Sequence, residues 1–248
     1  MTVRTEVVGA AAIVTMAWTA KRNALGPPEA EELTGALREA GDQAPRALIL
    51  TGEGAFSAGG DLAAVAELGR TRPREEVRDS VYGRLQGVVR ALRDCPVPTI
   101  AAIDGAAVGF GLDLALACDT RIVGPSGWVQ QGWARVGLLA GTGGIALAER
   151  IRTGLIWDLL DAEGRLGPAD CARLGIAEPS DEPAREAALR RAGSLARYER
   201  DVLGHYAALA RATSWPPDEH FAEVADIQSE LLGSDRFLTL ANSILGRT

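Results

Sequence analysis

The sequence predicts an α/β fold, a core of buried strands alternating with helices, followed by a helical C-terminal region. Two short continuous apolar runs, at 47–51 and 98–103, have the make-up of strands buried on both faces, and each stops at a glycine-rich stretch leading into a helical pattern. After about residue 151 the pattern is helical, with breaks at Gly167-Pro168, Pro179, Pro183 and Trp215-Pro216-Pro217. Strand ends that deliver glycine loops to one edge of such a sheet are where ligands usually bind.

Taken in order, the runs 3–8 and 12–16 flank Gly9 and predict a β-hairpin. A loop through Asn23 follows, and Pro27-Pro28 open a helix over 29–40 with Leu33, Ala36 and Leu37 on one face. Asp61 is a natural N-cap for a helix carrying Ala63, Val65, Ala66 and Leu68, and a long helix then ends near Arg93. The strand at 98–103 stops at Asp104-Gly105, a helix is expected over 108–118, and another strand over 120–123. Thr142 is the expected cap of a helix over 145–152. The expected division is a core over residues 1–177 and a helical region over 178–248.

The 248 residues are 47% hydrophobic and 24% charged, the balance of a globular chain. A net charge of -7, with Lys21 as the only lysine among many arginines, argues against a nucleic-acid or anionic-membrane partner. A small phosphate-bearing ligand remains compatible, because one or two placed cations can hold it. Cys95, Cys118 and Cys171 are odd in number and outside any C-x-x-C spacing, which predicts neither disulfide nor metal site and fits a reducing compartment. The first residues lack a signal-peptide pattern and no apolar run approaches the ~18 residues of a membrane span, so a cytoplasmic protein is expected.

The chemistry is concentrated in two glycine turns. In Gly54-Ala55-Phe56-Ser57-Ala58-Gly59-Gly60-Asp61-Leu62 the glycines leave the Gly60 N–H unshielded at a helix start, where orphan donors and the helix dipole favour an oxyanion. The stretch from Asp104-Gly105 through Val108-Gly109-Phe110-Gly111-Leu112-Asp113 repeats the device, with its first-turn donors near Phe110. Either turn alone is equally a tight strand-to-helix connection. Two in one sheet could converge on one oxygen and stabilise an enolate or tetrahedral oxyanion.

Taken together, Lys21-Arg22-Asn23-Ala24-Leu25, the 55–62 turn, Ile103 through Ile122, and Gly137-Leu138-Leu139-Ala140-Gly141-Thr142-Gly143-Gly144 resemble the crotonase family, the enoyl-CoA hydratase/isomerase group. Leu166-Gly167-Pro168 through Ile176 carries a fainter likeness. The resemblance implies a spiral of ββα turns and a C-terminal region that builds a homotrimer or a dimer of trimers. It implies no resident cofactor, an acyl-coenzyme A or acyl-carrier thioester being the substrate. It puts the two oxyanion donors on the amides of Gly60 and Phe110, and substrate contacts at Lys21, Ala24, Ala58, Asp61, Trp133 and Gly141, with Lys21 to Ala24 toward the nucleotide end of coenzyme A.

The departures from the family pattern bear on the reaction. Of the two glutamates that hydratases of this group use, the first falls on Asp113, one methylene shorter, and the second on Trp133, whose indole donates a hydrogen bond but cannot shuttle a proton. Phe110 stands where the family carries glycine, which keeps the N–H but alters or blocks the acyl pocket. Gly141 occupies the place of the aspartate nucleophile in the family's aryl-CoA dehalogenases, which argues against that reaction. Trp128 and Trp133 either line an apolar wall or, for Trp133, orient the ligand through its N–H.

Three readings follow: a hydratase or dehydratase running on Asp113 alone; another enolate reaction such as decarboxylation, double-bond shift or carbon–carbon cleavage; and a non-catalytic partner subunit. A serine hydrolase at Ser57 is disfavoured, because the G-x-S-x-G pattern lacks its first glycine and the histidines, His205 and His220, lie in the C-terminal region. The enzyme readings require the amides at 60 and 110 to face one site, with no aromatic ring between them.

Overall fold

A computed structural model describes residues 3–162 and 164–246. The strands are β1 (Val3–Val8), β2 (Ala11–Met16), β3 (Ala47–Gly52), β4 (Thr99–Ile103), β5 (Ala106–Val108), β6 (Thr120–Val123), β7 (Trp128–Gln130) and β8 (Glu178–Pro179). In the first part of the chain the helices are α1 (Pro27–Gln43), α2 (Leu62–Thr71), α3 (Arg74–Glu76), α4 (Gly83–Arg93) and α5 (Phe110–Ala117). After these come α6 (Gly144–Ile151), α7 (Leu155–Asp161), α8 (Pro168–Leu174), α9 (Ala184–Leu195), α10 (Arg200–Ser214), α11 (Asp218–Leu232) and α12 (Asp235–Leu245).

The main sheet has the order β1-β2-β3-β4-β6-β8; β1 and β2 pair antiparallel as a hairpin and the remaining pairs are parallel. Strand alternation divides the core. Val14, Leu48, Leu50, Ala101 and Ile103 face the main cluster, while Ile13, Ile49, Ile100, Ala102 and Ile122 face a second cluster. Ala184, Ala188 and Ala192 of α9 close that second face, four residues apart on one side of the helix and small enough for close approach. Both faces are thus covered, which is why these strands read as unbroken apolar runs.

The structure departs from the sequence expectations in four places. The stretch 106–108 is strand β5, paired with β7 in a separate two-stranded sheet, so the helix begins at Phe110, while the strands that lead into the two glycine stretches, β3 and β4, are neighbours in the main sheet as expected. The long helix before Arg93 is broken at Arg72-Pro73 and contains a π-helical turn, Val77–Tyr82. The region after 177 is not helical throughout, because β8 adds a sixth strand beside β6. Thr142 does not cap α6: the N-cap is Gly143, in a left-handed conformation, and the Thr142 hydroxyl is turned toward Asp113.

Candidate active site

Hydrogen bonds stitch the two glycine turns together. The backbone of Ser57 donates to the Ala106 carbonyl (2.8 Å) and accepts from Val108 N–H (3.0 Å), which lays residue 57 alongside β5. Ser57 Oγ is itself committed, donating to Asn23 O (2.7 Å) and accepting from Gly59 N–H (3.0 Å). A buried hydroxyl with both roles filled by backbone is a structural strut. With Ser57 Oγ bonded to Asn23 O and Gly59 N–H, neither His205 nor His220 holds it among the described residues, as a hydrolytic triad would require.

Gly59 explains the close approach of the turns. Its φ is +99°, and a Cβ there would lie 2.5 Å from the Val108 carbonyl oxygen and 3.5 Å from the Phe110 nitrogen. Bond geometry then keeps the nitrogens of Gly60 and Phe110 within about 7 Å, a range that includes two donors on one oxygen. Neither N–H donates to an acceptor among the described residues: Phe110 opens α5, and the adjacent bridge uses the amides of Leu25 and Asp61 instead.

The space between the turns is not open, contrary to the requirement that no aromatic ring lie between the amides, so an enzyme reading now needs that ring to move. The indole of Trp133, itself only 6% exposed, lies along both: a Cβ on Gly60 would be 3.1 Å from its Cη2, and one on Gly109 3.6 Å from its Cε2. The Phe110 side chain is fully buried in the main core cluster.

One helical turn beyond Phe110 sits Asp113, buried on α5 at 3% exposure. Its Oδ2 accepts from Trp133 Nε1 (3.0 Å) and from the Thr142 hydroxyl. Burial pushes its pKa up to about 7, against the opposing pull of the Thr142 and Trp133 donors. It therefore changes protonation state near neutrality and neither caps a helix nor meets solvent. The sequence marked Asp113 and Trp133 separately; their bond depends on α5 and the loop after β7 packing together. Thr142 was missed as a site residue, because a threonine before two glycines is equally a helix cap.

The turn beside them is clamped. Gln228 of α11 accepts from Leu139 N–H (2.7 Å) and donates to Leu139 O (2.9 Å), and Gln86 of α4 donates to Gly141 O (3.0 Å). Gly141 has no free space: a Cβ would meet Gln228 Cγ at 2.6 Å and Tyr82 Cε1 at 2.8 Å. No side chain fits where the dehalogenase nucleophile would stand.

The loop at 21–24 is tied to the same turn through Ala58 N–H on Arg22 O (2.8 Å) and Asn23 Nδ2 on Ala55 O (2.6 Å). Lys21, Ala24, Ala58 and Asp61 are therefore gathered at one edge. The Lys21 ammonium pairs there with Glu29 (2.8 Å) and Asp61 (3.1 Å). Asp61 also caps α2 by accepting from Ala64 N–H. Trp128 does not join Trp133 in this site as described; its ring stacks against the Arg165 guanidinium at 4.1 Å.

Surface hollows of about 590 Å³, lined by Glu178, Arg190 and Arg191, and about 640 Å³, lined by Arg4, Glu53 and Arg185, contain none of these groups. Their charged walls are occupied by internal ion pairs such as Arg191–Glu178 and Arg4–Glu53, which leaves the glycine turns as the candidate site.

The sequence pattern of the enoyl-CoA hydratase/isomerase family matches residues 6–226. The chain belongs to the enoyl-CoA hydratase/isomerase family. It is 35% identical over 215 residues to the probable enoyl-CoA hydratase EchA14 of Mycobacterium tuberculosis, across 83% of this chain and 79% of that protein. To the probable enoyl-CoA hydratase echA6 of Mycobacterium bovis it is 40% identical over 119 residues, which span 48% of this chain and only 45% of the relative. An enoyl-CoA hydratase from Bacillus halodurans shares the fold with a TM-score of 0.89 at 19% identity, over 98% of this chain and 100% of that one. Among described residues of this family member, no helix is long and apolar enough to cross a membrane and no cluster of histidine, cysteine or carboxylate side chains could hold a metal.

Proposed function

We propose that this chain hydrates or dehydrates an enoyl thioester, with the amides of Gly60 and Phe110 holding the thioester oxygen and Asp113 as the single proton-transfer group. The observation that carries this reading is the pairing of two unpartnered N–H groups with one buried carboxyl that titrates to about 7. In the hydration direction the Asp113 carboxylate takes a proton from water as the water oxygen adds to C3. The C2–C3 π pair shifts to C1–C2 and the carbonyl π pair moves onto the thioester oxygen, so the enolate charge falls to the two N–H groups. Asp113 then returns the proton to C2, so that the elements of water are added and the enzyme is restored. Trp133 takes no proton in this scheme; its ring turns aside to admit the thioester.

The thioester is carried on coenzyme A or a carrier protein, and Lys21 reaches a phosphate only by releasing Glu29 or Asp61. The C-terminal region builds a homotrimer or dimer of trimers in this proposal. Water addition to a panel of enoyl thioesters, followed by loss of the conjugated absorbance, tests it. Turnover of at least one substrate is expected, slowed on the order of 100-fold or more in Asp113→Asn. Unchanged turnover in that variant removes Asp113 from the mechanism and favours an enolate reaction without an acid, such as decarboxylation. The closed position of Trp133 favours a second reading, a non-catalytic subunit, and absence of binding and turnover across the panel would select it.

A further inference from the structure

The groups around Trp133 have a relation that the chemistry above does not use. The same indole lies along Gly60 and Gly109, the turns that present the two free amides, and donates its N–H to Asp113 Oδ2 at 3.0 Å. The ring packs against both turns, where a thioester oxygen bound by those amides would have to enter. Because the N–H and the ring face are parts of one rigid bicycle, the ring cannot leave the turns while its nitrogen keeps its position on Asp113.

We propose that Trp133 is a displaceable shutter latched by Asp113: entry of the thioester oxygen expels the indole, and the same movement breaks the Trp133–Asp113 hydrogen bond and frees the carboxylate for proton transfer. The inference rests on the acyl-thioester reading and adds to it a coupling between occupancy and reactivity. In the empty site the carboxylate is held by two donors and the amides are covered, so neither half of the machinery is exposed. With the indole gone, Thr142 alone remains on Oδ2. A buried carboxylate that loses one of two donors holds a proton more strongly and is the better base. No charged side chain contributes to the Asp113 pKa, so this donor change is not masked by a neighbouring charge.

The test uses butyryl-coenzyme A, a saturated thioester that binds without hydration, in stopped-flow tryptophan fluorescence with the full chain. In the wild type the expected signal comes from Trp133, and its rate saturates with ligand concentration, because the encountered thioester seats only as fast as it displaces the indole. Trp133→Phe keeps most of the ring volume but cannot bond Asp113. Its opening should be faster by on the order of ten-fold, from the loss of one charge-assisted hydrogen bond, read by competition with a fluorescent acyl-coenzyme A. A second measurement guards against a merely structural effect: the infrared carbonyl band of protonated Asp113, assigned with Asp113→Asn, should persist to higher pH in Trp133→Phe.

Wild-type binding that is linear in concentration and no slower than in Trp133→Phe overturns the shutter while leaving the thioester reading intact. An infrared band unmoved by Trp133→Phe overturns the latch. Failure of both proteins to bind butyryl-coenzyme A overturns the thioester reading and the shutter with it.

Discussion

The hydroxyl of Thr142 donates to Oδ2 of Asp113, the oxygen that also accepts from Trp133 Nε1. Thr142→Val retains the shape and removes one donor from the ionised carboxyl, so the Asp113 pKa should rise further. A general base works above its pKa, and the rising limb of kcat/KM against pH should therefore move to higher pH, by roughly one unit for the loss of one hydrogen bond to a charged group. The pH–rate profile of the variant checks this; a limb that stays in place would show that Thr142 does not act through Asp113.

Asp113 also predicts how stability varies with pH. Its folded pKa of about 7 lies above the 3.8 of an aspartate free in water. Between these values the folded chain holds a proton that the unfolded chain has released, so folding loses free energy as pH rises through this window and levels off above it. A shift of about 3 units corresponds to on the order of 4 kcal/mol, an upper figure because the site can relax. Urea unfolding at pH 5 and pH 8 should therefore show Asp113→Asn gaining stability relative to wild type at the higher pH.

The other carboxylate to test is Asp119, which shares a nearly buried ion pair with Arg211 of α10. The Arg211 guanidinium, 3% exposed, bonds Asp119 Oδ1 (2.9 Å) and Oδ2 (2.6 Å) and donates to the carbonyls of Arg93 and Val97. Arg211→Ala leaves Asp119 with the Thr99 donors and the more distant Arg150 (3.9 Å) and leaves carbonyls without this donor, and should cost up to about 3–5 kcal/mol in chemical denaturation. A loss under about 1 kcal/mol would mean that water replaces the arginine.

Gly59→Ala should disrupt the approach of the two amides. The left-handed φ and a Cβ 2.5 Å from the Val108 carbonyl oxygen predict a loss on the order of 2–4 kcal/mol, together with weaker thioester binding. Gly9→Ala is the control: its φ is also positive, at +58°, but no heavy atom lies within 4 Å of its Cβ position, so about 1 kcal/mol and no effect on binding are expected. Equal losses in both variants would show that backbone strain, and not the approach of the turns, is what matters at Gly59.

Much of the fold was legible because strands buried on both faces must be apolar without interruption: the runs in β3 and β4 could be read directly, as could the hairpin flanking Gly9. The start of α5 was misplaced because Ala106-Ala107-Val108 has no local preference strong enough to distinguish strand from helix; pairing with β7 decides it. The breaks before α4 and the two-residue strand β8 are likewise set by packing partners distant in sequence. Within the site, the residue types that can hold an oxyanion were visible as glycine turns, and Asp113 and Trp133 as departures from a family pattern.

By itself, the sequence determined the family, the α/β core and which backbone positions could offer free amides, since glycine spacing, strand periodicity and helix starts are properties of neighbouring residues. Only the tertiary structure decided that Trp133 packs against both glycine turns, that Asp113 is buried and shared between Trp133 and Thr142, and that Lys21 is already paired with two carboxylates. The physical reason is that a side chain's burial, protonation and hydrogen-bond partner depend on groups brought to it by the fold, 20 and 29 residues away along the chain for Asp113, and no local pattern of residues encodes that meeting.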